Sequence, residues 1–273
     1  MNQDSIIPLN ENNSNIKLPE VTWLICANSL NELLKLALDS CFGQTFQNFE
    51  IILVANGPSA NSIAVKVNEW FGSDLRLRIL TTNIQQLTHS LNLGLSNARS
   101  NFIARMDADD ISYPQRLQVQ LDFMKNNSEV VVLGSAYDLI DENGYVKKVI
   151  HPPQRDMQIR RQLYFSNPLC HPSVMFRKEF VMNAGGYMGG LYAQDYDLWV
   201  RLSFNSEVIF ANLEQVCLGY RELNVSNKAR RSRAAYAAVS ASQFYAFVRG
   251  FGCFWVLAAT TSYIKAFIKA RQD

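Results

Sequence analysis

The sequence lacks a cysteine pattern typical of a disulfide framework or a zinc site. Its cysteines are odd in number and scattered, and no two of them have CxxC spacing. Most of them lie inside apolar runs, which predicts reduced core thiols in a cytoplasmic protein. The five residues are Cys26, Cys41, Cys170, Cys217 and Cys253.

The sequence also lacks an excess of one charge and a long apolar run. The formal net charge is only +2, so we expect no nucleic acid as a partner. Residues 1–19 are rich in asparagine and do not have the basic and then apolar order of a signal peptide, so we predict a flexible lead-in there. The uncharged apolar run 251–264 has fourteen residues, which is too short to span a bilayer.

The sequence does contain enough apolar residues for a substantial core, 48% of 273 residues against 18% charged. Its first half alternates strand and helix patterns, which predicts a parallel sheet with helices on both faces. In such sheets ligands bind where the strands end. We predict strands at 21–27, 49–55, 75–80 and 102–106, and helices at 31–42, 63–71, 87–98 and 115–125.

The second half has a mixed pattern. We predict a strand at 130–136, a hairpin at 140–149 that turns at 142–144, a short strand at 173–176, a flexible loop at 185–187 and a helix at 197–204. No long linker interrupts this half. The pattern therefore predicts one domain over 20–225, followed by a tail over 226–273.

Three carboxylates, Asp107, Asp109 and Asp110, follow the fourth predicted strand. Asp107 and Asp109 are two positions apart and can turn toward one point, and such hard oxygen ligands suit Mg²⁺ or Mn²⁺ holding a phosphate group. An EF-hand loop is excluded because Ser112 and Gln118 stand where glycine and glutamate are needed. A solvated turn that caps the next helix is the alternative.

Three sequence blocks resemble those of a known family. The first block comprises residues 31–40, 44–46 and 49–54. The second comprises 91–95 and 104–110, and the third comprises 193–201. In this order they are similar to the family 2 inverting glycosyltransferases, which use nucleotide-sugar donors and have the GT-A fold. The resemblance implies an α/β protein with a Rossmann-like mixed sheet flanked by helices, followed here by a C-terminal helical tail.

The resemblance also implies roles for single residues. Asp107 and Asp109 match the family's DxD motif and are expected to hold Mn²⁺ or Mg²⁺, and Asp195 matches its catalytic base. Taken alone, Asp195 is more typical of a helix N-cap. The expected donor-binding residues are Ala27, Asn28, Asn56, Arg105, Asp107, Ala108 and Asp109. The expected acceptor-side residues are His171, Gly186 and Tyr187. The alternative for His171 is a polar residue that precedes a strand, and the alternative for Gly186 and Tyr187 is a turn with a packed tyrosine.

The chain departs from the family pattern near the expected site. Asn56 follows Ala55 where the family usually has two acids, although an amide can still bond a pyrimidine edge. Gln194 stands where a glutamate often precedes the base, which removes a charge that could raise the pKa of Asp195. One alternative to a glycosyltransferase is therefore a non-catalytic partner protein with the same fold. A sugar nucleotidyltransferase is another, but residues 26–29 do not form its glycine-rich and basic phosphate loop.

The tail begins with a basic cluster and continues as an apolar, aromatic segment over 236–268. We predict a helical hairpin on the anionic inner face of the plasma membrane. Packing on the preceding domain or on a second subunit is the alternative. The basic residues are Lys228, Arg230, Arg231 and Arg233, with Lys265, Lys269 and Arg271 at the far end.

The expected function is transfer of a sugar from a nucleotide-diphosphate sugar to a growing glycan or a lipid-linked oligosaccharide. UDP-sugars are the favoured donors, and bacterial envelope polysaccharide synthesis is the setting that the resemblance implies.

Overall fold

The computed structural model describes residues 18–222 and 232–269. Its first half alternates strand and helix as predicted, except that the third strand begins two residues later and the second helix three residues earlier. The strands are β1 Val21–Ala27, β2 Phe49–Asn56, β3 Leu77–Thr82 and β4 Phe102–Asp107, and the helices are α1 Glu32–Phe42, α2 Ala60–Phe71 and α3 Leu87–Asn97.

The four strands are parallel and lie in the order β3-β2-β1-β4. The chain moves outward from β1 to β3 and then returns to the other side of β1, so the strand order reverses between β1 and β4. Cys26 of β1 pairs there with Asp107, the last residue of β4. Ligands bind at such reversal points in open α/β sheets, and the acidic loop begins at this one.

Apolar residues cover both faces of these strands, and every residue of β2 is buried. One face packs against α1 and α2, through residues such as Leu34 and Ile63. The other face packs against α3, through Leu91 and Leu95. Burial on both faces explains why these strands are nearly continuous apolar runs.

The second half extends this sheet as a mixed sheet, in the order β4-β8-β6-β9-β5, with β7 paired to β6. The predicted hairpin is confirmed as the end of β6 paired with β7. The elements are β5 Ile111–Ser112, α4 Arg116–Asn126, β6 Val130–Ile140, β7 Val146–Ile150, α5 Asp156–Leu163, β8 Met175–Arg177, α6 Lys178–Asn183, α7 Gln194–Leu202 and β9 Ile209–Arg221.

The sequence patterns did not indicate α5, α6 or β9, and they placed the start of α7 three residues too late. Strand β9 has no regular alternation, because its middle is polar and exposed around Glu214 and Gln215. Its pairing with β6 also shifts register twice between Ser135 and Tyr137. Such irregularities remove the period of two from which strands are recognised.

Two helices form the described part of the tail, α8 Arg233–Val248 and α9 Phe254–Lys269. Their inner faces pack on the preceding domain, which was the alternative to membrane contact. Gln243 is fully buried and donates hydrogen bonds to the Tyr196 hydroxyl (2.9 Å) and the Tyr164 carbonyl (3.1 Å). Phe251 stacks on Phe204 with ring centroids 3.7 Å apart.

Membrane contact by the outer faces of α8 and α9 stays a prediction. None of the helices over the described ranges is both long and apolar enough to cross a bilayer. Lys228, Arg230, Arg231 and Arg271 of the predicted basic groups, and residues 1–17 of the predicted lead-in, lie outside the described residues. The mixed sheet, the flanking helices and the C-terminal helix pair confirm the predicted fold class.

Candidate active site

A cavity of about 840 Å³ opens at the end of β4, a size typical of ligand pockets. The end of β4 contributes Arg105 and Asp107, the loop after it contributes Asp109, and the start of α7 contributes Asp195. His171 enters from the short 3₁₀ turn before β8. The structure thus brings together five predicted site residues that are up to 90 positions apart in the sequence.

The acidic loop forms a cluster of three carboxylates. One carboxylate oxygen each from Asp107, Asp109 and Asp110 lie within 4.8 Å of one another. Asp110 is almost fully buried; its Oδ1 accepts a hydrogen bond from the Arg221 backbone N–H (2.7 Å), and its buried Oδ2 has no partner among the described residues. A buried oxygen without a donor, beside two more carboxylates, fits a divalent cation such as Mg²⁺ or Mn²⁺.

The charge state of Asp110 reflects the same crowding. Burial raises the pKa of its carboxyl group well above the usual range, and the neighbouring Asp107 and Asp109 carboxylates raise it further. The pKa shift means that three ionised carboxylates are costly here without a cation. A solvated turn, which was the alternative for this loop, does not bury a carboxylate in this way.

Arg221 fixes the acidic loop from the last residue of β9. Its Nε donates to the Asp109 carbonyl (2.8 Å), and its Nη1 donates to the carbonyls of Asp141 (2.8 Å) and Glu142 (2.7 Å). These contacts tie the loop to the turn between β6 and β7. Sequence reasoning missed Arg221 because no local motif marks a residue whose partners lie 79 to 112 positions away.

Arg105 pairs with Asp107 of the acidic cluster, and its side chain is only 3% exposed. Its Nη2 donates to Oδ1 of Asp107 at 2.5 Å, while Nε and Nη1 are buried without a partner among the described residues. Burial alone would lower the pKa of Arg105, but the Asp107 carboxylate more than offsets this, and the net shift is upward. The guanidinium therefore stays charged and orients Asp107, and two of its nitrogens have no hydrogen-bond partner among the described residues.

Asp195 is the second residue of α7 and is half-buried in the cavity wall. The N-cap is Ala193, with φ of 56°, so the interpretation of Asp195 as the cap is wrong. Its Oδ2 accepts a hydrogen bond from Nδ2 of Asn167 at 2.6 Å. The amide orients the carboxylate. Asn167 was not predicted, because it lies in an irregular loop 28 residues before Asp195.

The loop at 185–187 is held in place, contrary to the prediction of flexibility. Asn92 of α3 bonds both backbone groups of Tyr187, donating to its carbonyl (2.8 Å) and accepting from its N–H (2.9 Å). Arg201 donates to the Gly186 carbonyl at 2.8 Å. Tyr187 is buried, and its hydroxyl lies 2.8 Å from Nε2 of His171. Gly186 and Tyr187 lie behind the cavity wall, and His171 reaches the cavity itself.

The remaining predicted donor residues lie at the ends of neighbouring strands and outside this cavity. Ala27 and Asn56 end β1 and β2 and are buried, whereas Asn28 is exposed one residue beyond β1. Ala108 is partly buried and packs on the apolar core. The structure places Ala27, Asn28 and Asn56 at the same edge of the sheet as the acidic cluster, on its β1 and β2 side, whereas Ala108 belongs to the acidic loop itself.

The tail also reaches the cavity. Tyr236 and Val239 of α8, and Ser262 and Lys265 of α9, form part of its wall. The sequence pattern had placed Lys265 toward a membrane. Its position in the cavity could not be predicted, because it depends on how two helices pack on a distant domain.

Comparisons with known proteins agree with this geometry. The model of glycosyl transferase family 2 matches residues 24–185. The chain is 34% identical over 221 residues to the O-antigen biosynthesis glycosyltransferase WbnJ of Escherichia coli, covering 80% of this chain and 85% of WbnJ. It is 30% identical over 220 residues to the UDP-Gal:alpha-D-GlcNAc-diphosphoundecaprenol beta-1,3-galactosyltransferase of Escherichia coli, covering 78% of this chain and 77% of that protein.

A solved structure supports the fold. The mannosyltransferase PcManGT from Pyrobaculum calidifontis, in complex with GDP-Man and Mn²⁺, superposes with a TM-score of 0.66 at 16% identity, covering 93% of this chain and 74% of that one. This likeness confirms the predicted GT-A fold. From the family model, the identity to WbnJ and the fold together, the chain belongs to glycosyl transferase family 2.

Proposed function

We propose that this protein is an inverting glycosyltransferase that moves a sugar from a nucleotide-diphosphate sugar, preferably a UDP-sugar, to a growing glycan or a lipid-linked oligosaccharide. One observation carries the proposal: a single cavity is lined by Asp107 and Asp109 of the acidic cluster and, separately, by the Asp195 carboxylate, which an amide orients. The two groups fit the two tasks of such a reaction, holding a diphosphate through a cation and removing a proton.

The acidic cluster is the proposed donor side. Asp107 and Asp109 would hold Mn²⁺ or Mg²⁺, with Asp110 Oδ2 as a further oxygen. A bound cation supplies Lewis-acid stabilisation of the departing nucleoside diphosphate. Arg105 keeps Asp107 in place, and its positive charge would favour the diphosphate beside the cation. Asn28 and Asn56 lie along the strand edge where the nucleotide base would extend, with Ala27 and Ala108 providing close backbone approach.

Asp195 is the proposed base. Its carboxylate takes the proton of an acceptor hydroxyl while the hydroxyl oxygen bonds to the anomeric carbon, and the bond from that carbon to the diphosphate oxygen breaks on the opposite face. The configuration is therefore inverted. Asn167 contributes by holding the carboxylate in one orientation, because a positioned base accelerates proton transfer. His171, bonded to Tyr187, is the proposed acceptor-side contact.

The biological setting follows by analogy with the relatives. WbnJ is named for O-antigen biosynthesis, and the related galactosyltransferase is named for a UDP-sugar donor and a diphosphoundecaprenol-linked acceptor. We place this protein in bacterial envelope polysaccharide synthesis, with the sugar and the linkage left to experiment.

The test is binding and slow hydrolysis of UDP-, GDP- and dTDP-sugars, measured with Mn²⁺, with Mg²⁺ and with a chelator. Wild-type protein should bind one donor in a metal-dependent manner, and Asp107→Ala and Asp109→Ala should abolish this binding. Asp122→Ala is the control, because Asp122 is exposed on α4 and away from the cavity. If no nucleotide sugar bound under any metal condition, the non-catalytic alternative would replace this proposal.

We propose in addition that the outer face of the tail contacts the anionic cytoplasmic face of the plasma membrane. Phe254, Leu257 and Ile264 of α9 are 68%, 64% and 50% exposed and lie on one helical stripe, with Phe244 exposed on α8. Exposed apolar residues beside basic ones are typical of helices that lie in a membrane interface.

Flotation with anionic liposomes tests this contact. Leu257→Glu should reduce the bound fraction several-fold, whereas Leu75→Glu should not, because Leu75 is 85% exposed but lies far along the chain, between α2 and β3. Equal partitioning of the two variants would remove membrane contact from the proposal.

A further inference from the structure

The tail forms a wall of the active-site cavity. Tyr236 and Val239 are three positions apart on α8, and Ser262 and Lys265 are three apart on α9, so each pair lies on one helical face. Both faces are directed to the cavity that Asp107, Asp109 and Asp195 also line. The tail is therefore placed to contact a ligand, and the proposed donor and base sites do not use it.

Lys265 is the important residue of this wall because of its charge. Among the described residues, three lysine or arginine side chains border the cavity. Arg105 pairs with Asp107, and Arg221 donates to three backbone carbonyls. Lys265, by contrast, makes no ion pair and no hydrogen bond within the ranges 18–222 and 232–269, so its ammonium group is available to an anion.

Two large apolar side chains line the same cavity and are exposed to solvent. Phe165 is 74% exposed and Leu191 is 72% exposed, and they come from the loops that precede the 3₁₀ turn and α7. Apolar side chains that remain exposed at a cavity are typical of sites that bind an apolar ligand. An available ammonium group and an apolar rim together suit an anionic group attached to a hydrocarbon chain.

We propose that Lys265 forms a subsite for the diphosphate of an acceptor glycan that is linked through that diphosphate to an apolar chain. The proposal rests on the proposed function, because the donor diphosphate is assigned there to the acidic cluster, which leaves the Lys265 wall for the acceptor. Phe165 and Leu191 contact the first part of the apolar chain. The tail thereby contributes to acceptor selection as well as to folding.

The experiment uses farnesyl diphosphate as a probe and isothermal titration calorimetry on the full chain. The donor site is first saturated with UDP or GDP and Mn²⁺, whichever nucleotide binds. Lys265→Gln should weaken farnesyl diphosphate binding by about tenfold or more, as expected for loss of one charge-assisted hydrogen bond. Lys265→Arg should largely retain binding, and farnesol should bind weakly and equally to all variants.

Arg249→Gln is the matched control, because it removes one positive charge from an exposed position of the tail outside the cavity. Equal affinity of wild type and Lys265→Gln for farnesyl diphosphate would overturn the proposal. A loss of nucleotide affinity in Lys265→Gln, without a change for farnesyl diphosphate, would also overturn it by assigning Lys265 to the donor. Failure of the proposed function is a separate result, since then neither nucleotide binds even to wild type.

Discussion

The substitution Gly186→Ala tests how the loop before α7 is held. Gly186 has φ of +69°, a backbone conformation that costs a residue with a side chain about 1–2 kcal/mol. A Cβ atom there would lie 2.5 Å from Oδ1 of Asn92, which is closer than real Cβ contacts. Asn92 must then move, although it makes two hydrogen bonds to the backbone of Tyr187.

The expected cost follows from these two effects. Losing the Asn92 contacts costs about 1–2 kcal/mol at roughly 1 kcal/mol for each hydrogen bond. With the backbone strain, Gly186→Ala should lower the free energy of unfolding by about 2–4 kcal/mol. Gly190→Ala is the matched control from the same loop, because no described residue lies within 4 Å of a Cβ atom there and φ is not positive.

Urea unfolding followed by circular dichroism measures both variants. In an Asn92→Ala background the obstacle is absent, so Gly186→Ala should cost only the strain, about 1–2 kcal/mol. The difference between the two backgrounds is the coupling energy of the contact. If Gly186→Ala and Gly190→Ala changed the unfolding free energy equally, the reasoning about this loop would be wrong.

Three further predictions concern the site and the core. Asp195→Asn keeps the shape of the side chain but cannot accept a proton, so kcat should fall by about 10²–10⁴ while donor affinity is unchanged; a loss below threefold would remove Asp195 as the base. The raised pKa of Asp110 means that the metal-free folded protein favours the protonated carboxyl group. Its stability should therefore fall as pH rises from the ordinary Asp value of about 4 toward the raised one. Mn²⁺ should then raise Tm more near pH 8 than near pH 5 in scanning fluorimetry, and equal shifts would contradict this. Burial raises the pKa of Cys41 from 9.0 to about 12, whereas Cys253 is exposed. Iodoacetamide at pH 8 should modify Cys253 well before Cys41, and peptide mass spectrometry showing equal rates would contradict the burial of Cys41.

Much of the first half could be predicted from local pattern. Strands buried on both faces are continuous apolar runs, and β1, β2 and β4 were placed within one residue for that reason. The hairpin after β6 was predicted from a turn of Glu142, Asn143 and Gly144, where the glycine has φ of +90°. Strand β9 and helices α5 and α6 could not be predicted, because β9 is bulged and the two helices are short.

The sequence by itself determined the candidate residues for the chemistry. Carboxylates that follow an apolar strand must lie at the end of that strand, and the family order of three sequence blocks was enough to assign Asp107, Asp109 and Asp195 to one site. Backbone geometry and hydrogen-bonding chemistry act over a few residues, so such features can be read directly from the chain.

The tertiary structure alone decided which residues support that chemistry. Asn167 orients Asp195 across 28 positions, Arg221 holds the acidic loop across 112, and Lys265 reaches the cavity from α9. It also decided that Gly186 and Tyr187 lie behind the cavity wall. These relations depend on how packed elements are oriented, and side-chain packing between distant segments leaves no local period or motif in the sequence.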